Sequence, residues 1–578
     1  MNPLIPRAEL DFLLHDWLDA GAPPSPAGDG RETIDALLDL TERLAGEQFL
    51  PHFKEADRRE PWLDADGVHL LPAIGEALRH YAAAGLFSAG FAPELGGLGL
   101  PALACAAASA QFAAASLATA AYPMLTAANA RLIARFGTAA QIDAFARPQI
   151  EGRWFGTMCL SEPQAGSSLA DIRTRAEPDG EDALGRRFRL SGNKMWISGG
   201  DQDVSENIVH LVLAKIPGAD GRLVPGTRGI SLFIVPKSLP DGTRNDIAVA
   251  GLNHKMGYRG TSNCLLNFGE RGGAAGWLIG GPGDGLGQMF QMMNEARIQV
   301  GLGAAAAGYR GYRHALAYAR ERAQGRPVGV RDGGPVPLIA HPDVRRMLLA
   351  QKAYAEGALA LCLYCARLVD EEEKDGEAAA LLGLLTPVAK SWPSEYGLAA
   401  NDIAIQIHGG YGYARDFDVE QLYRDNRLNP IHEGTTGIQA IDLLGRKILR
   451  DDGAGLAVLR GRIARCRERA SANAALAGHA ATLGHVWDRI AAAIATLRTV
   501  DPARAFDNAT LFLRAFGHGV LAWLWLDMAM AAGESALAKG KLGACRYFFE
   551  QEVPLIDAWL GIVGSLTDTA VTMPDEAF

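Results

Sequence analysis

Apolar and polar residues follow two different patterns along the chain, and the change between them divides the sequence. From residue 1 to about 155 apolar residues recur at helical spacing, and an alanine-rich run extends from Ala102 to Ala121. From about residue 156 short runs rich in β-branched and aromatic residues, such as NIVHLVLAKI and GISLFIVPK, are separated by Gly, Pro, Asp and Asn. The pattern predicts an α-helical unit followed by a compact antiparallel β unit, either a sandwich or a barrel.

Helical patterning returns after the glycine-rich turn GGPGDGLG. Long helices from about Gln288 to residue 450, interrupted by a Gly/Pro-rich segment, favour an antiparallel four-helix bundle. From about residue 451 an apolar stripe repeats over four helical turns and needs a surface to pack on. The sequence therefore predicts a mainly α protein with a central β domain, divided into an N-terminal helical domain at 1–155, a middle β domain at 156–280, a bundle at 281–450 and an additional helical domain at 451–578.

Composition indicates an ordinary globular protein. The chain has 578 residues, of which 48% are hydrophobic and 21% charged, so neither disorder nor a fibrous repeat describes it. A net charge of −10 leaves no basic surface of the kind that nucleic acid or anionic lipid requires. We therefore expect no nucleic-acid partner, although a local basic pocket for a phosphorylated ligand remains compatible with this balance.

Cysteine usage and hydropathy favour a cytoplasmic protein. The seven cysteines are scattered, and Cys362 and Cys365 sit in the helical pattern EGALALCLYCARL, which predicts buried helix residues and no metal site. The first residues lack the basic and apolar regions of a secretory signal. The most apolar late stretch, VLAWLWLDMAMAAG, contains Asp527 and is too short to span a bilayer, so we expect no transmembrane segment.

Several common catalytic signatures are absent from the sequence. It contains no G-x-x-x-x-G-K-[ST], H-E-x-x-H or G-x-S-x-G pattern, which are the marks of P-loop, zinc-peptidase and α/β-hydrolase chemistry. The GGPGDGLG turn does not match G-x-G-x-x-G and does not lie in an alternating βαβ pattern. Any dinucleotide cofactor must therefore be held by a different arrangement.

Two polar segments border or lie within the β unit. In MCLSEPQAGSS (158–168) small residues allow backbone N–H groups to approach a ligand closely, although an ordinary Ser/Gly turn has the same composition. In KMWISGG (194–200) Trp196 and Ser198 are two residues apart and therefore share one strand face. They could stack on and hydrogen-bond a flat heteroaromatic group; the alternative is a core tryptophan.

A third segment, QIHGGYGYARDFDVEQLYRDNRLNPIHEGTTGIQAIDLLGRK, covers residues 406–447. Gln406, Gly409 and Gly410 form a predicted tight turn between helices. Glu433 directly precedes an apolar helix face, so it lies at a helix entrance. A glutamate in that place either caps the helix and compensates its dipole or points into a pocket.

The three segments together resemble the acyl-CoA dehydrogenase family over roughly residues 30–450. MCLSEPQAGSS is similar to the family's flavin-binding signature, KMWISGG to its strand along the isoalloxazine, and IHEGTTGIQ to its catalytic glutamate segment. They occur in the family's order and separation. The Gly/Pro segment ending in HPDVRRM and the helical tail are similar to larger bacterial members that carry an extra C-terminal domain.

The resemblance implies FAD-dependent oxidation of an acyl-CoA to the trans-2-enoyl-CoA. Glu433 would remove the α-proton and flavin N5 would take the β-hydride, because no side chain can accept a hydride. Electrons would then pass to an electron-transfer flavoprotein. The residues that the resemblance assigns to FAD are Met158, Leu160, Ser161, Gly166, Ser167, Trp196, Ser198, Arg322, Gln324, Gln406, Gly409, Gly410 and Thr435.

The resemblance implies that the adenosine diphosphate of a cofactor in a neighbouring subunit is bound by Arg322, Gln324, Gln406, Gly409 and Gly410. Thr435 would contact the near end of the same cofactor, and the shared site implies at least a homodimer. The residues that the resemblance assigns to the acyl-CoA are Ser167, Asn294, Arg297 and Gly434. A purely structural role is the alternative for Arg297.

The sequence also departs from the family at identifiable positions. Ser161 stands where many members have Thr, and His432 precedes the base where Tyr is frequent. Some relatives carry the base at the position of Ala296, and the adjacent Glu295 would point about 100° away around the helix. Glu433 therefore stays the predicted base. An acyl-CoA oxidase and a non-catalytic homologue of the same fold are the alternatives.

Overall fold

The computed structural model describes residues 3–20, 30–450, 453–533 and 537–578, without the side chains of 291–293. The helices are α1 Arg7–Asp11, α2 Gly30–Leu44, α3 Phe53–Arg58, α4 Pro72–Ala83, α5 Ala102–Ala115, α6 Leu117–Phe136, α7 Ala139–Gln141, α8 Arg147–Ile150, α9 Gly285–Glu321, α10 Pro342–Glu371, α11 Gly376–His408, α12 Asp418–Asn426, α13 Thr436–Ile441, α14 Ala454–Ser471, α15 Ala477–Leu497, α16 Pro502–Ala505, α17 Ala509–Ala531, α18 Ala538–Tyr547, α19 Val553–Gly564 and α20 Thr569–Thr572. The strands are β1 Trp62–Leu63, β2 Val68–His69, β3 Trp154–Cys159, β4 Arg175–Asp182, β5 Gly185–Ser198, β6 Asn207–Lys215, β7 Ile230–Pro236, β8 Ile247–Leu252, β9 Asn263–Phe268 and β10 Ala274–Ile279. The predicted fold class, mainly helical with a central β domain, is confirmed.

The chain forms two compact units that are discontinuous in sequence. The helical unit comprises residues 1–39, 102–114 and 297–578, and the β-containing unit comprises residues 40–101 and 115–296. Each unit is described separately below.

The β-containing unit is built on an eight-stranded sheet. The strands follow the order β10-β7-β6-β4-β5-β9-β8, and β10 also pairs with β5, so five of the strands close a ring. Most pairs are antiparallel, as predicted, but β3 runs parallel to β6. Strands β6 and β7 are buried along their whole length, which explains their continuous apolar sequences.

Helix α6 covers β3 through a small set of buried polar contacts. The Asn129 side-chain amide donates to the carbonyls of Thr157 and Val209, each at 2.9 Å. The Thr126 hydroxyl accepts a hydrogen bond from the Gly156 amide at 3.1 Å. Because these donors and acceptors are satisfied within the core, they fix the depth of β3, whose last residues begin the MCLSEPQAGSS segment.

The helical unit is a bundle formed by α9, α10 and α11 with α13 and its π-helical continuation Asp442–Leu449. Two of its helices approach very closely: a Cβ atom at Gly301 of α9 would lie 1.9 Å from the Ala389 carbonyl oxygen of α11. Seven residues along, a Cβ at Gly308 would lie 2.9 Å from Gly397 Cα. Glycine at these positions lets the backbones of α9 and α11 touch.

We expect Gly301→Ala to lower the free energy of unfolding by about 3 kcal/mol, because the added methyl must displace the backbone of α11. Urea unfolding of the holoenzyme measures this loss. Gly561→Ala is the matched control, since a Cβ there meets nothing within 4 Å on the surface of α19. That change should stabilise the protein by about 0.5 to 1 kcal/mol. Equal effects of both substitutions would contradict the close approach.

The C-terminal helices pack onto the bundle around α17. Among the described residues, α17 is the one helix long and apolar enough to cross a membrane. However, 83% of its most apolar stretch is buried inside the protein. The prediction that this stretch is too short was wrong, because the helix has 23 residues. Its apolar surface is covered by α15, α18 and α19. The Asp527 carboxylate within it pairs with Arg469 at 2.6 Å and accepts from Trp17 Nε1 at 2.9 Å.

A buried charge cluster ties the beginning and the end of the helical unit to the bundle. The Lys541 ammonium on α18 pairs with Glu356 of α10 at 2.9 Å and also with Glu9 of α1. Lys352 pairs with the same Glu356 carboxylate. Lys541 and its two partners, Glu9 and Glu356, are almost fully buried. The pairs therefore satisfy charges that would be costly to bury alone.

Candidate functional site

The first two predicted segments lie side by side in the β-containing unit. The Met195 amide donates to the Ser161 carbonyl at 3.0 Å. The Lys194 ammonium donates to the Leu160 carbonyl at 3.0 Å and pairs with the Glu162 carboxylate at 2.9 Å. The structure thus joins MCLSEPQAGSS and KMWISGG through one buried ion pair, one backbone hydrogen bond and one hydrogen bond from the Lys194 side chain to a backbone carbonyl.

Glu162 is the centre of this junction. Its carboxylate also accepts hydrogen bonds from the Arg173 amide at 2.6 Å, the Thr174 amide at 3.0 Å and the Thr174 hydroxyl at 2.6 Å. Burial alone would raise the pKa of Glu162, but Lys194 and these donors outweigh it and lower the pKa to about 2. Because this value lies below that of an unfolded glutamate, the stability that the carboxylate adds is present at neutral pH and is lost towards pH 2.

Trp196 is exposed on the surface of the sheet and is not a core residue. The pairing of β5 with β9 shifts by one residue between Lys194 and Ile197, and Trp196 within this bulge has φ +65°. The bulge turns Lys194 and Ile197 inward together and leaves Trp196 58% exposed. Ser198 is partly exposed on the outer side as well, and its hydroxyl oxygen accepts from Asn263 Nδ2 at 3.3 Å. An aromatic surface and a hydroxyl therefore face outward together.

The remaining residues of the first segment differ in accessibility. Met158 is buried in the apolar core between helices and sheet, whereas Leu160 and Ser161 are partly exposed at the end of β3. Gly166 and Ser167 are exposed on a turn, and a Cβ at Gly166 would meet nothing within 4 Å. The backbone of this turn is open to an approaching ligand. The exposed indole, the hydroxyls and the open glycine turn fit a flavin dinucleotide, which needs a stacking surface and donors for its ring and its pyrophosphate.

Glu433 lies in the helical unit on the loop between α12 and α13, and its backbone is strained. Glu433 has φ +53° and Gly434 has φ +90°, so two successive residues adopt left-handed conformations. Glycine adopts this conformation without strain, but glutamate does not, and such outliers persist only where surrounding contacts hold them. Here the Gln439 side-chain amide nitrogen, Nε2, donates to the Glu433 carbonyl at 3.0 Å. The Thr435 hydroxyl caps α13 by accepting from the Ile438 amide at 3.4 Å.

A buried lysine holds the same loop from below. The Lys390 ammonium on α11 donates to the Asn429 carbonyl at 2.8 Å and to the Gly434 carbonyl at 2.7 Å. Burial raises the pKa of the Glu433 carboxyl, while Arg297 and Lys390 act in the opposite direction. Glu433 is partly exposed, and the burial of its surroundings shifts the pKa of its carboxyl in the direction that makes the carboxylate a better proton acceptor.

The neighbouring His432 is neutral at physiological pH. Burial and then the Lys390 charge lower the pKa of its imidazole to about 3. One ring nitrogen, Nε2, lies 3.0 Å from Asn429 Oδ1. The histidine that replaces the family's frequent tyrosine therefore contributes packing and hydrogen bonding and no charge beside Glu433.

Arg297, which is predicted to contact CoA, lies in a buried ion pair. Arg297 is 3% exposed, and its guanidinium pairs with Asp442 at 2.8 Å. Asp442 lies 145 residues later in the chain, so local sequence reasoning could not find this partner. The structural alternative fits the geometry better than a phosphate ligand does.

Asn294 and Glu295 lie on α9 close to Arg297. Asn294, also predicted to contact CoA, is partly exposed. The adjacent Glu295 carboxylate pairs with Arg131 of α6. Glu295 is therefore already engaged by a cation, which supports the choice of Glu433 as the base.

The residues predicted to reach a neighbouring cofactor form an exposed cluster in the helical unit. Arg322 lies over the ring of Tyr411 at 5.9 Å from its centre, and Tyr411 belongs to the turn that contains Gly409 and Gly410. Gln324 follows Arg322 closely in the sequence, Gln406 precedes the glycine turn, and both are exposed. Cβ atoms at Gly409 and Gly410 would meet nothing within 4 Å. The structure thus brings Arg322 together with the glycine turn.

Sequence reasoning missed Glu162, Lys194, Lys390 and Asp442, although three of them carried a signal. Lys390 stands inside the apolar helical run LLTPVAKSW, and Lys194 and Glu162 interrupt β-like segments. A charge in a buried position needs a partner, and that requirement marks it. Asp442 is buried as well, and its partner Arg297 lies on another helix.

One group of possible metal ligands occurs among the described residues, formed by Asp11, His15 and Asp35. The Arg7 guanidinium pairs with Asp11 at 2.6 Å and with Asp35 at 2.8 Å. These carboxylates therefore already have a cation as their partner.

Family models match nearly the whole chain. The acyl-CoA dehydrogenase N-terminal domain matches residues 31–153, the middle domain 157–270 and the C-terminal domain 283–449. A model described as acetyl-CoA dehydrogenase C-terminal like matches residues 460–574.

Curated relatives and solved structures agree with these models. The chain is 37% identical to 3-methylmercaptopropionyl-CoA dehydrogenase of Ruegeria pomeroyi, over 88% of this chain and 87% of that one. It is 33% identical to a broad-specificity linear acyl-CoA dehydrogenase of Mycobacterium tuberculosis, over 95% and 94%. The Bacillus anthracis acyl-CoA dehydrogenase complexed with FAD shares the fold, with a TM-score of 0.76 at 21% identity over 98% of this chain and 93% of that one. This chain therefore belongs to the acyl-CoA dehydrogenase family.

Proposed function

We propose that this protein oxidises an acyl-CoA thioester to the trans-2-enoyl-CoA with FAD as its cofactor and Glu433 as the base. The observation that carries the proposal is the placement of Glu433, a carboxyl with left-handed backbone on a loop that buried donors hold in place. Backbone strain of this kind is concentrated at functional sites. A role of Glu433 as a helix cap would not require this strained conformation, because Thr435 already caps α13.

The reaction requires removal of a weakly acidic proton from the carbon next to the thioester carbonyl. Burial raises the pKa of Glu433 and so makes its carboxylate a better proton acceptor, and desolvation by a bound acyl chain would raise it further. FAD, when bound, supplies the acceptor for the β-hydride. The protein's own part is to orient the acyl chain, to exclude water and to hold the proton on a Glu433 carboxylate oxygen.

The residues that would hold FAD lie in two places. Trp196 and Ser198 would contact the ring system, and the open turn at Gly166 and Ser167 would contact the pyrophosphate. The exposed cluster of Arg322, Gln406 and the glycine turn would bind the adenosine diphosphate of a neighbouring subunit's cofactor, so we propose a homodimer. We further propose an electron-transfer flavoprotein as the electron acceptor and the cytoplasm as the location.

The names of the relatives define the substrates to test first. They include a 3-methylmercaptopropionyl-CoA dehydrogenase, a broad-specificity linear acyl-CoA dehydrogenase and a butyryl-CoA dehydrogenase. A series of straight-chain acyl-CoAs of graded length, together with 3-methylmercaptopropionyl-CoA, therefore covers the expected acyl class. One methylene changes selectivity by only about 1 to 3 kcal/mol, so several members of the series should react.

Anaerobic titration of the purified yellow protein with this series tests the proposal. We expect the flavin absorbance to bleach with at least one acyl-CoA and to be unchanged by free CoA. No bleaching by any member would contradict catalysis and favour a non-catalytic homologue. The electron acceptor is tested by mixing the reduced enzyme with air or with an electron-transfer flavoprotein; faster reoxidation by dioxygen would identify an oxidase instead.

A further inference from the structure

We propose that Lys390 is a positioning residue for the base: its ammonium joins the two ends of the catalytic loop and supplies positive charge beneath Glu433. This inference rests on the proposed role of Glu433. It concerns a side chain that touches neither the acyl group nor the cofactor and that acts through the loop.

The contacts of Lys390 span the loop. Asn429 lies three residues after the end of α12, and Gly434 lies two residues before the start of α13. One ammonium donates to both carbonyls, at 2.8 Å and 2.7 Å. The Gly434 carbonyl belongs to the peptide plane between Gly434 and Thr435, so Lys390 holds the backbone directly after the two left-handed residues Glu433 and Gly434.

Other contacts also hold the loop. Asn401, Asn426 and Asn429 form a buried chain of side-chain hydrogen bonds, at 2.7 Å and 2.9 Å, that ends at the Asn429 end. At the other end, Gln439 donates to the Glu433 carbonyl at 3.0 Å from within α13. The Thr436 amide also spans the loop by donating to the Pro430 carbonyl at 3.3 Å. Lys390 adds a buried side-chain link between Asn429 and Gly434, so its loss would weaken the connection between the two ends.

The burial of Lys390 requires an explanation. The residue is 0% exposed, and burial lowers the pKa of its ammonium to about 8 even though Glu433 acts to raise it. A methionine of similar volume would fill the same space without this desolvation penalty. A methionine could not donate to the Asn429 and Gly434 carbonyls or stabilise the Glu433 carboxylate. These interactions offset the cost of burying the Lys390 charge.

Removal of the Lys390 charge should change the titration of Glu433 in a defined direction. Arg297 from α9 and Lys390 from α11 both favour the ionised form of Glu433 against burial. The charge of Lys390 interacts with those of Glu433, Arg297 and Glu395 and also disfavours the protonated form of His432. Without the lysine charge, burial is opposed by Arg297 alone, so proton removal by Glu433 should require a higher pH.

The experiment measures exchange of the α-protons of a 3-thia-acyl-CoA in D2O, followed by mass spectrometry of the holoenzyme reaction across pH 5.5 to 9. Sulfur at position 3 prevents hydride loss, so exchange reports proton removal alone. Lys390→Met and Lys390→Gln remove the charge, and Lys390→Gln retains a donor for a loop carbonyl. Lys447→Met removes a lysine charge from the helix that follows the loop and serves as the matched control.

We expect Lys390→Met and Lys390→Gln to move the midpoint of exchange upward by about 1 pH unit. We also expect a lower plateau for Lys390→Met than for Lys390→Gln, while Lys447→Met keeps the wild-type midpoint. FAD content and thermal unfolding identify a variant that does not fold, in which case the other charge-removing variant decides. An unshifted midpoint in the folded variants would overturn the proposal, even if the plateau falls.

Failure of this proposal is distinguishable from failure of the proposed function. Exchange that persists in Glu433→Gln would remove the base role from Glu433 and the Lys390 proposal with it. Exchange that is lost in Glu433→Gln but keeps its wild-type midpoint in both Lys390 variants would overturn the role of Lys390 alone.

Discussion

Glu433→Gln is expected to slow the bleaching of bound flavin by an acyl-CoA about 10⁴-fold while the protein remains yellow. Glutamine has nearly the shape of glutamate but cannot accept the α-proton. The backbone contacts that hold the loop, from Gln439 to the Glu433 carbonyl and from Lys390 to the Gly434 carbonyl, do not involve the carboxylate. The substitution should therefore abolish proton removal without changing the structure. Anaerobic stopped-flow absorbance measures the rate of flavin reduction, and thermal unfolding measures the stability.

Glu295→Gln is the matched control for this experiment. Glu295 lies next to the position at which some relatives carry their base, but its carboxylate pairs with Arg131. We expect the rate at which an acyl-CoA reduces the flavin of the Glu295→Gln variant to remain within a few-fold of the wild-type rate. A Glu433→Gln enzyme that reacts within tenfold of wild type, or a Glu295→Gln enzyme that does not react, would assign the base to another residue.

The second large effect is expected at the buried ion pair between Glu162 and Lys194. Glu162→Gln leaves the Lys194 ammonium buried without its counter-ion, and we expect the free energy of unfolding to fall by about 3 to 5 kcal/mol. Because the pair joins the two segments proposed to contact the flavin, FAD should also be released more easily. Urea unfolding and the ratio of flavin to protein absorbance measure the two effects.

A double substitution separates the pair from its surroundings. Glu162→Gln with Lys194→Met removes both charges, so we expect it to be less destabilising than the sum of the single changes. Asp143→Asn breaks the exposed pair with Arg147 in the same unit and should cost at most about 1 kcal/mol. Additive effects of the two buried substitutions would show that the pair does not act as a unit.

The sequence was most informative where function depends on short contiguous motifs. The MCLSEPQAGSS, KMWISGG and IHEGTTGIQ segments located the candidate site, and hydrophobic periodicity located the change from helices to strands and back. Prediction failed where the deciding partner is distant. The parallel pairing of β3 with β6 is set by tertiary packing, and the partner of Arg297 lies on another helix.

Trp196 illustrates why local rules were incomplete even within one motif. The two-residue spacing of Trp196 and Ser198 correctly predicted that they share a face. However, a tryptophan in a strand is more often a core residue than an exposed one. The bulge between Lys194 and Ile197 reverses the alternation, so a charged lysine is buried while the indole is exposed. A pattern with a strict period cannot indicate an inserted residue.

The shared partner of Glu9 and Glu356 has a consequence for attempts to shorten this protein. Lys541 neutralises one carboxylate from the first helix and one from the bundle. A truncated chain that stops near residue 450, at the length of the smaller family members, would leave Glu9 without this counter-ion and Glu356 with Lys352 alone. Such a shortened chain would need substitutions at positions 9 and 356, because it would otherwise bury carboxylates that have lost a counter-ion.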